Sequence, residues 1–174
     1  MHCKKICLVS PPRWLAVIFW LGLAPVAAWA AKTEVWLLVR PDLQESIISS
    51  DAKEKAALEA QGWHVDATGS LETEAVEGSG PLHRLARMRE GVVDRYLETD
   101  VKQIPVLEDA GFTNEGVVGH VASEDAHLSG GLAVIQWSKG EQRLWLVSRK
   151  AQAAAEQAGW QRQGAHFWLW PAPK

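Results

Sequence analysis

After Ala30 the sequence has no cysteine; its only two thiols are Cys3 and Cys7. A disulfide framework, a thiolate metal site and a cysteine nucleophile are therefore excluded from residues 31–174. Those residues must be held together by their apolar core, which a domain of about 144 residues can build unaided. Long apolar runs are scarce too. Trp14 to Val26 spans roughly 13 residues, short of the roughly 20 that cross a bilayer, and no run as long follows it. A basic excess is also missing. Lys and Arg number 18 against 21 Asp and Glu, net -3; three of those bases, Lys4, Lys5 and Arg13, lie in the first 30 residues, which hold no acid, so residues 31–174 carry 15 against 21, net -6. That balance argues against a nucleic-acid partner and against an anionic membrane surface. No Gly-x-Ser-x-Gly elbow, His-Glu-x-x-His helix or phosphate loop is present. Gly130-Gly131 and Gly78-x-Gly80 lie in linkers and open no helix, so neither reads as a phosphate cradle.

What is present at the N-terminus has the three parts of a secretion signal. Lys4, Lys5 and Arg13 form a basic region, Trp14 to Val26 an apolar stretch broken by Pro25, and Ala28-Trp29-Ala30 a small-residue cleavage pattern. Cys3 and Cys7 precede the apolar stretch, so neither is a lipid-attachment cysteine. The expectation is a signal peptide over residues 1–30, a mature chain beginning at Ala31 with no membrane span after cleavage, and a periplasmic or secreted location.

Residues 31–174 show self-similarity. Ala60-Gln61-Gly62-Trp63, Asp109-Ala110-Gly111-Phe112 and Gln157-Ala158-Gly159-Trp160 end alike, their glycines 49 and 48 residues apart. Before each lies a helical stretch, Asp51 to Gln61, Asp100 to Ala110 and Ser148 to Ala158. Each opens on an N-cap residue 11 positions ahead of its glycine. The glycines suit the left-handed helix end. Two strand-like runs precede each helix and one follows. Glu34 to Arg40, Leu82 to Met88 and Ala133 to Trp137 come first. Ser46 to Ser49, Arg95 to Glu98 and Leu144 to Val147 come second. Linkers Glu72 to Gly80 and Ser123 to Gly131 are rich in Gly, Ser and acids, as surface loops are. The expected fold is α+β: three strand–strand–helix–strand repeats, over residues 34–80, 81–131 and 132–174, closed around a pseudo-threefold axis in a single domain, 31–174. Trp63, Phe112 and Trp160 read as core, because large aromatics at equivalent positions pack.

The pattern resembles a repeat found in many secreted bacterial and fungal proteins, reading aromatic-Arg-Leu, then His-Phe-Tyr-Thr, a helix, and Gly-Trp-x-x-Glu-Gly-Val, a domain of unknown function. The middle copy carries it best, in Leu82-His83-Arg84-Leu85, Asp94-Arg95-Tyr96-Leu97-Glu98-Thr99 and Gly111-Phe112-Thr113-Asn114-Glu115-Gly116-Val117. The second motif is degenerate, being Ser46-Ile47-Ile48-Ser49 in the first copy and Leu144-Trp145-Leu146-Val147 in the third. A function tied to its histidine is therefore not carried over. The resemblance implies an extracellular accessory or binding module and supplies no catalytic residue.

Seven of the ten tryptophans lie beyond the first 30 residues, and the last three crowd the C-terminus. In Ala165-His166-Phe167-Trp168-Leu169-Trp170, strand alternation puts His166, Trp168 and Trp170 on one face and Phe167 and Leu169 on the other. With Trp137 and Trp145 they make a candidate ligand surface, since flat aromatic rings beside polar groups suit sugar rings and protein partners alike. A second candidate is His120 to His127, with Glu124 and Asp125 between: two imidazoles and two carboxylates, sufficient for zinc or general acid–base chemistry but also an ordinary acidic linker. His64-x-Asp66 with scattered serines assembles no triad. The sequence therefore points to a non-catalytic extracytoplasmic binding module without cofactor or metal, its partner a glycan, a cell-wall component or an envelope protein. The alternatives are a small envelope hydrolase or metal-dependent enzyme using His120 to His127, and an inhibitor of an envelope enzyme presenting the Glu72 to Gly80 linker.

Overall fold

The computed structural model describes residues 31–172 apart from 41, 43, 90 and 123–129. The expected signal peptide and most of the His120 to His127 segment thus lie outside the described residues. In chain order the elements are β1 Lys32–Val39, β2 Ser46–Ser49, α1 Ala52–Ala60 and β3 His64–Glu72; β4 Ser79–Arg89, β5 Val92–Glu98, a 3-10 turn Val101–Gln103 running into α2 Ile104–Asp109, and β6 Thr113–Ala122; then β7 Leu132–Lys139, β8 Gln142–Leu146, α3 Arg149–Gln157 and β9 Gln161–Pro171.

Among the described residues every strand pairing is antiparallel, and the strands form a nine-stranded sheet. Its path runs β2-β1-β3-β6-β9-β7-β8, with β4 joined to β6 and β5 to β4. The expected α+β architecture, three strand–strand–helix–strand repeats closed around a pseudo-threefold axis, is corrected by this finding to a mostly antiparallel β fold. Among the described residues strand makes up 55% and helix 21%, in three short helices, so helices are covers here and not a layer. The reason lies in what each helix buries. Helix α1 buries only Leu58, α2 only Ile104, and α3 only the small Ala151 and Ala155. The strands supply the rest. Val35, Leu71, Leu82, Val121, Trp145 and Phe167, from β1, β3, β4, β6, β8 and β9, meet in the largest apolar cluster.

Local chemistry explains where the helices begin and end. The Asp51 carboxylate accepts from the Lys53 amide at 2.8 Å, Asp100 from Lys102 at 3.0 Å, and the Ser148 hydroxyl from Ala151 at 3.1 Å. Each satisfies an amide that the first helical turn leaves unpaired. At the other end Gly62, Gly111 and Gly159 take φ of 89°, 87° and 82°. Their left-handed turn lets the next amide reach back five residues: Trp63 to Leu58 O at 3.1 Å, Phe112 to Leu107 O and Trp160 to Ala155 O at 3.0 Å. The turn also swings the aromatic ring inward, leaving Trp63, Phe112 and Trp160 8%, 8% and 6% exposed. Arg84 on β4 fastens α1 to the sheet, donating to both Glu54 oxygens at 3.2 and 3.0 Å, to Ile48 O at 3.2 Å and to Glu115 at 2.6 Å. Burial opposes its charge, yet the two carboxylates hold its pKa above the ordinary arginine value.

Candidate functional site

The C-terminal ends of β3, β6 and β9 pair with one another. Glu72 lies opposite His120, Ala122 opposite Trp168, and Ser70 opposite Trp170. Two glycines permit the crowding. A Cβ on Gly119 would stand 2.7 Å from Leu71 Cβ, and one on Gly69 would stand 2.9 Å from Leu169 Cβ and 3.0 Å from Trp170 O. Any larger residue at either position pushes the strands apart.

Because alternate residues point to opposite faces, this junction has two different surfaces. Leu71, Val121, Phe167 and Leu169 turn into the core. Ser70, Glu72, His120, Ala122, Trp168 and Trp170 share the other face, joined there by Lys32, which lies opposite Glu72 on β1. The Ser70 hydroxyl donates to Pro171 O at 2.8 Å and ties down the end of β9. Lys32 Nζ sits 3.4 Å from Glu72 Oε1 and 4.3 Å from the centroid of the Trp170 ring. One cation thus serves a carboxylate and covers one face of an indole. The Glu72 side chain is 7% exposed. Its Oε2, the His120 Nδ1 and the Trp170 Nε1 are buried without a hydrogen-bond partner among the described residues. Such atoms are costly unless something completes them. A cleft of about 430 Å³ opens beside the pair, lined by Thr33, Ser50, Glu72, Thr73, Val118 and His120, within the size range of small-ligand sites.

The five residues expected to form one ligand surface do not. Trp168 and Trp170 are half-buried on the junction face. His166 is not beside them. It is the unpaired residue of a β-bulge, since Phe167 pairs with Val134 while Ala165 pairs with Ile135. The bulge breaks the alternation, and the ring turns inward, its Nε2 3.3 Å from Leu97 O. Trp145 is core, fully buried, with Tyr96 edge-on at 5.4 Å and its amide donating to the Ser46 hydroxyl at 2.9 Å. Trp137 is 4% exposed and packs with Trp160 against α3, in a different cluster. Sequence reasoning groups His120 with the His120 to His127 segment as candidate acid–base or metal chemistry and takes Glu72 as the start of a linker; it does not bring the two together and passes over Lys32 and Ser70. No local signal marks them, because their meeting depends on which strands pair. Ser123 to His127 lie outside the described residues. Asp66 is structural. Its carboxylate accepts from the Val147 and Ser148 amides at 2.7 and 3.1 Å and from the Ser148 hydroxyl, holding the start of α3. The Glu72 to Gly80 linker is tied back, Thr73 donating to Ala31 O through its amide at 2.9 Å and its hydroxyl at 3.0 Å. Among the described residues no His, Cys, Asp and Glu cluster could hold a metal, and no helix is long and apolar enough to cross a membrane.

Fold and face together define a small antiparallel β domain that presents aromatic and ionisable groups on one surface. Residues 31–170 match the family described as a domain of unknown function, DUF5648. The chain belongs to that family. No curated protein and no solved structure matches it.

Proposed function

We propose that this chain is a non-catalytic extracytoplasmic binding module whose ligand is a glycan or cell-wall saccharide, held at the junction of β3, β6 and β9. The observation that carries the reading is the shared face of Trp168 and Trp170 with the buried, half-partnered Glu72 carboxylate. A sugar offers the matching chemistry: an apolar ring face for an indole, and hydroxyls that donate to a carboxylate. Lys32 lies over Trp170; the two indoles together form the apolar wall against which a sugar ring packs, and Glu72 accepts from its hydroxyls. Export is supported by the basic, apolar and Ala28-x-Ala30 pattern and by β1 starting at Lys32, just after it.

The test is a glycan screen followed by isotherms and melts. Aromatic contacts are worth roughly 0.5 to 1.5 kcal/mol beyond area burial, so Trp168→Ala should weaken binding about two- to tenfold with little change in melting. Glu72→Gln should weaken it further. A screen without a saturable saccharide, or a Trp168→Ala variant that melts early and binds normally, overturns the reading. One observation favours a second reading: Glu72 opposite His120 brings together the carboxylate and imidazole of a general acid–base pair. In that case the bound saccharide is hydrolysed, and both Glu72→Gln and His120→Asn abolish turnover while binding persists.

A further inference from the structure

A groove of about 570 Å³ lies far from that junction, between α3 and the start of β9, lined by Trp137, Arg149, Gln152, Glu156, Trp160 and Arg162. Its floor is aromatic: Trp137 and Trp160 pack together over Ala151 and Ala155. Arg162 on β9 is the direct cross-strand partner of Trp137 on β7. Arg40, Arg84, Arg87, Arg89 and Arg95 are each paired with a carboxylate. Arg149 and Arg162 are exposed and have no ion pair or hydrogen bond among the described residues. In a chain with more acids than bases, two unpaired guanidinium groups at one groove leave a local positive field. The only carboxylate in the lining is Glu156, and it bridges neither arginine. At the base, Trp137 is 4% exposed and its indole Nε1, a donor with no acceptor capacity, has no partner among the described residues.

We propose that this groove is an oxyanion site, independent of the saccharide face. Its donors are the two guanidinium groups, Arg149 and Arg162. The carboxylate of an acidic saccharide and free inorganic phosphate share the required chemistry: a planar or tetrahedral set of anionic oxygens that a guanidinium grips with two parallel hydrogen bonds. Trp137 lies in the groove lining, so its ring reports on occupancy of the site.

Titrations of the full chain with glucuronate, glucose and inorganic phosphate, followed by melting and by the Trp137 indole N–H resonance, test the site. Expected is saturable binding of glucuronate, phosphate or both, with a shifted Trp137 resonance and no saturation by glucose. Glucuronate binding more tightly identifies the saccharide carboxylate as the source; the reverse order identifies phosphate. Arg149→Gln and Arg162→Gln should each weaken binding about tenfold or more, as loss of a charged hydrogen bond does, while melting stays unchanged. Lys150→Gln, on the exposed side of α3, and Trp168→Ala should leave it intact, which separates this site from the saccharide face. Glucose binding as well as glucuronate, anion binding that survives the double arginine variant, or no saturable binding of either anion overturns the proposal.

Discussion

Tyr96 is the only tyrosine in the chain, and it sits edge-on to both Phe112 and Trp145, at 5.9 and 5.4 Å. Burial and then the Glu98 charge raise its pKa above the ordinary 10.0, against the pull of Arg143 and Gln136. A raised folded value means that the native state holds the phenolic proton more tightly. The resulting stabilisation is complete below the unfolded pKa and is lost as pH rises through the folded one. Tyrosinate absorbance should therefore show a native midpoint above that of the urea-unfolded chain, with unfolding following ionisation; coincident midpoints would place the phenol in water. At Trp160 the expectation is larger. Its ring is 6% exposed, and removing a buried aromatic costs roughly 3 to 5 kcal/mol. Trp160→Ala should melt many degrees lower, and a melt near wild type would contradict the packing at that corner.

Each helix is too short to persist alone, so its ends count for much of its stability. Asp51→Ala removes the bond to the Lys53 amide and should cost about 1 kcal/mol in denaturant unfolding. Gly62 is a cleaner case. A Cβ there meets nothing within 4 Å, yet φ is +89°, so Gly62→Ala isolates the left-handed penalty of roughly 1 to 2 kcal/mol. Both ends are legible in the sequence because caps and left-handed glycines act within a few residues, the range over which spacing carries information. The bulge at His166 is not legible there. A period of two in β9 predicts that His166, Trp168 and Trp170 point together, and the strand keeps that period only from Phe167 onward. Whether a strand bulges is set by its neighbour β7, where the register shifts between Val134 and Ile135.

At the scale of the molecule, glycine controls how closely β3, β6 and β9 approach at their junction. Gly119→Ala places a methyl 2.7 Å from Leu71 Cβ, an overpacking that typically costs about 1 to 3 kcal/mol. The junction also sets the geometry of Glu72 and His120, so the substitution should lower both melting temperature and saccharide affinity. A variant that loses neither would show that the strands can separate freely. Mass analysis of exported protein should give an N-terminus at Ala31; retention of residues 1–30 would mean an anchored protein.

Short-range chemistry alone places the helix ends, the buried Gly-aromatic corners and the shared face of Phe167 and Leu169, since each depends on residues within one turn or one strand. It does not show how much of the core a helix supplies. Helix-like spacing announces that α1, α2 and α3 exist, and so suggests an α+β fold. Only packing reveals that they bury one or two side chains each and that the strands dominate. Nor does it place Glu72 against His120, or Lys32 over Trp170. Those contacts join segments far apart in the chain, and local periodicity constrains which face a side chain takes without constraining which strand lies beside it. The candidate site arises from that choice of neighbours, which is a property of the whole sheet.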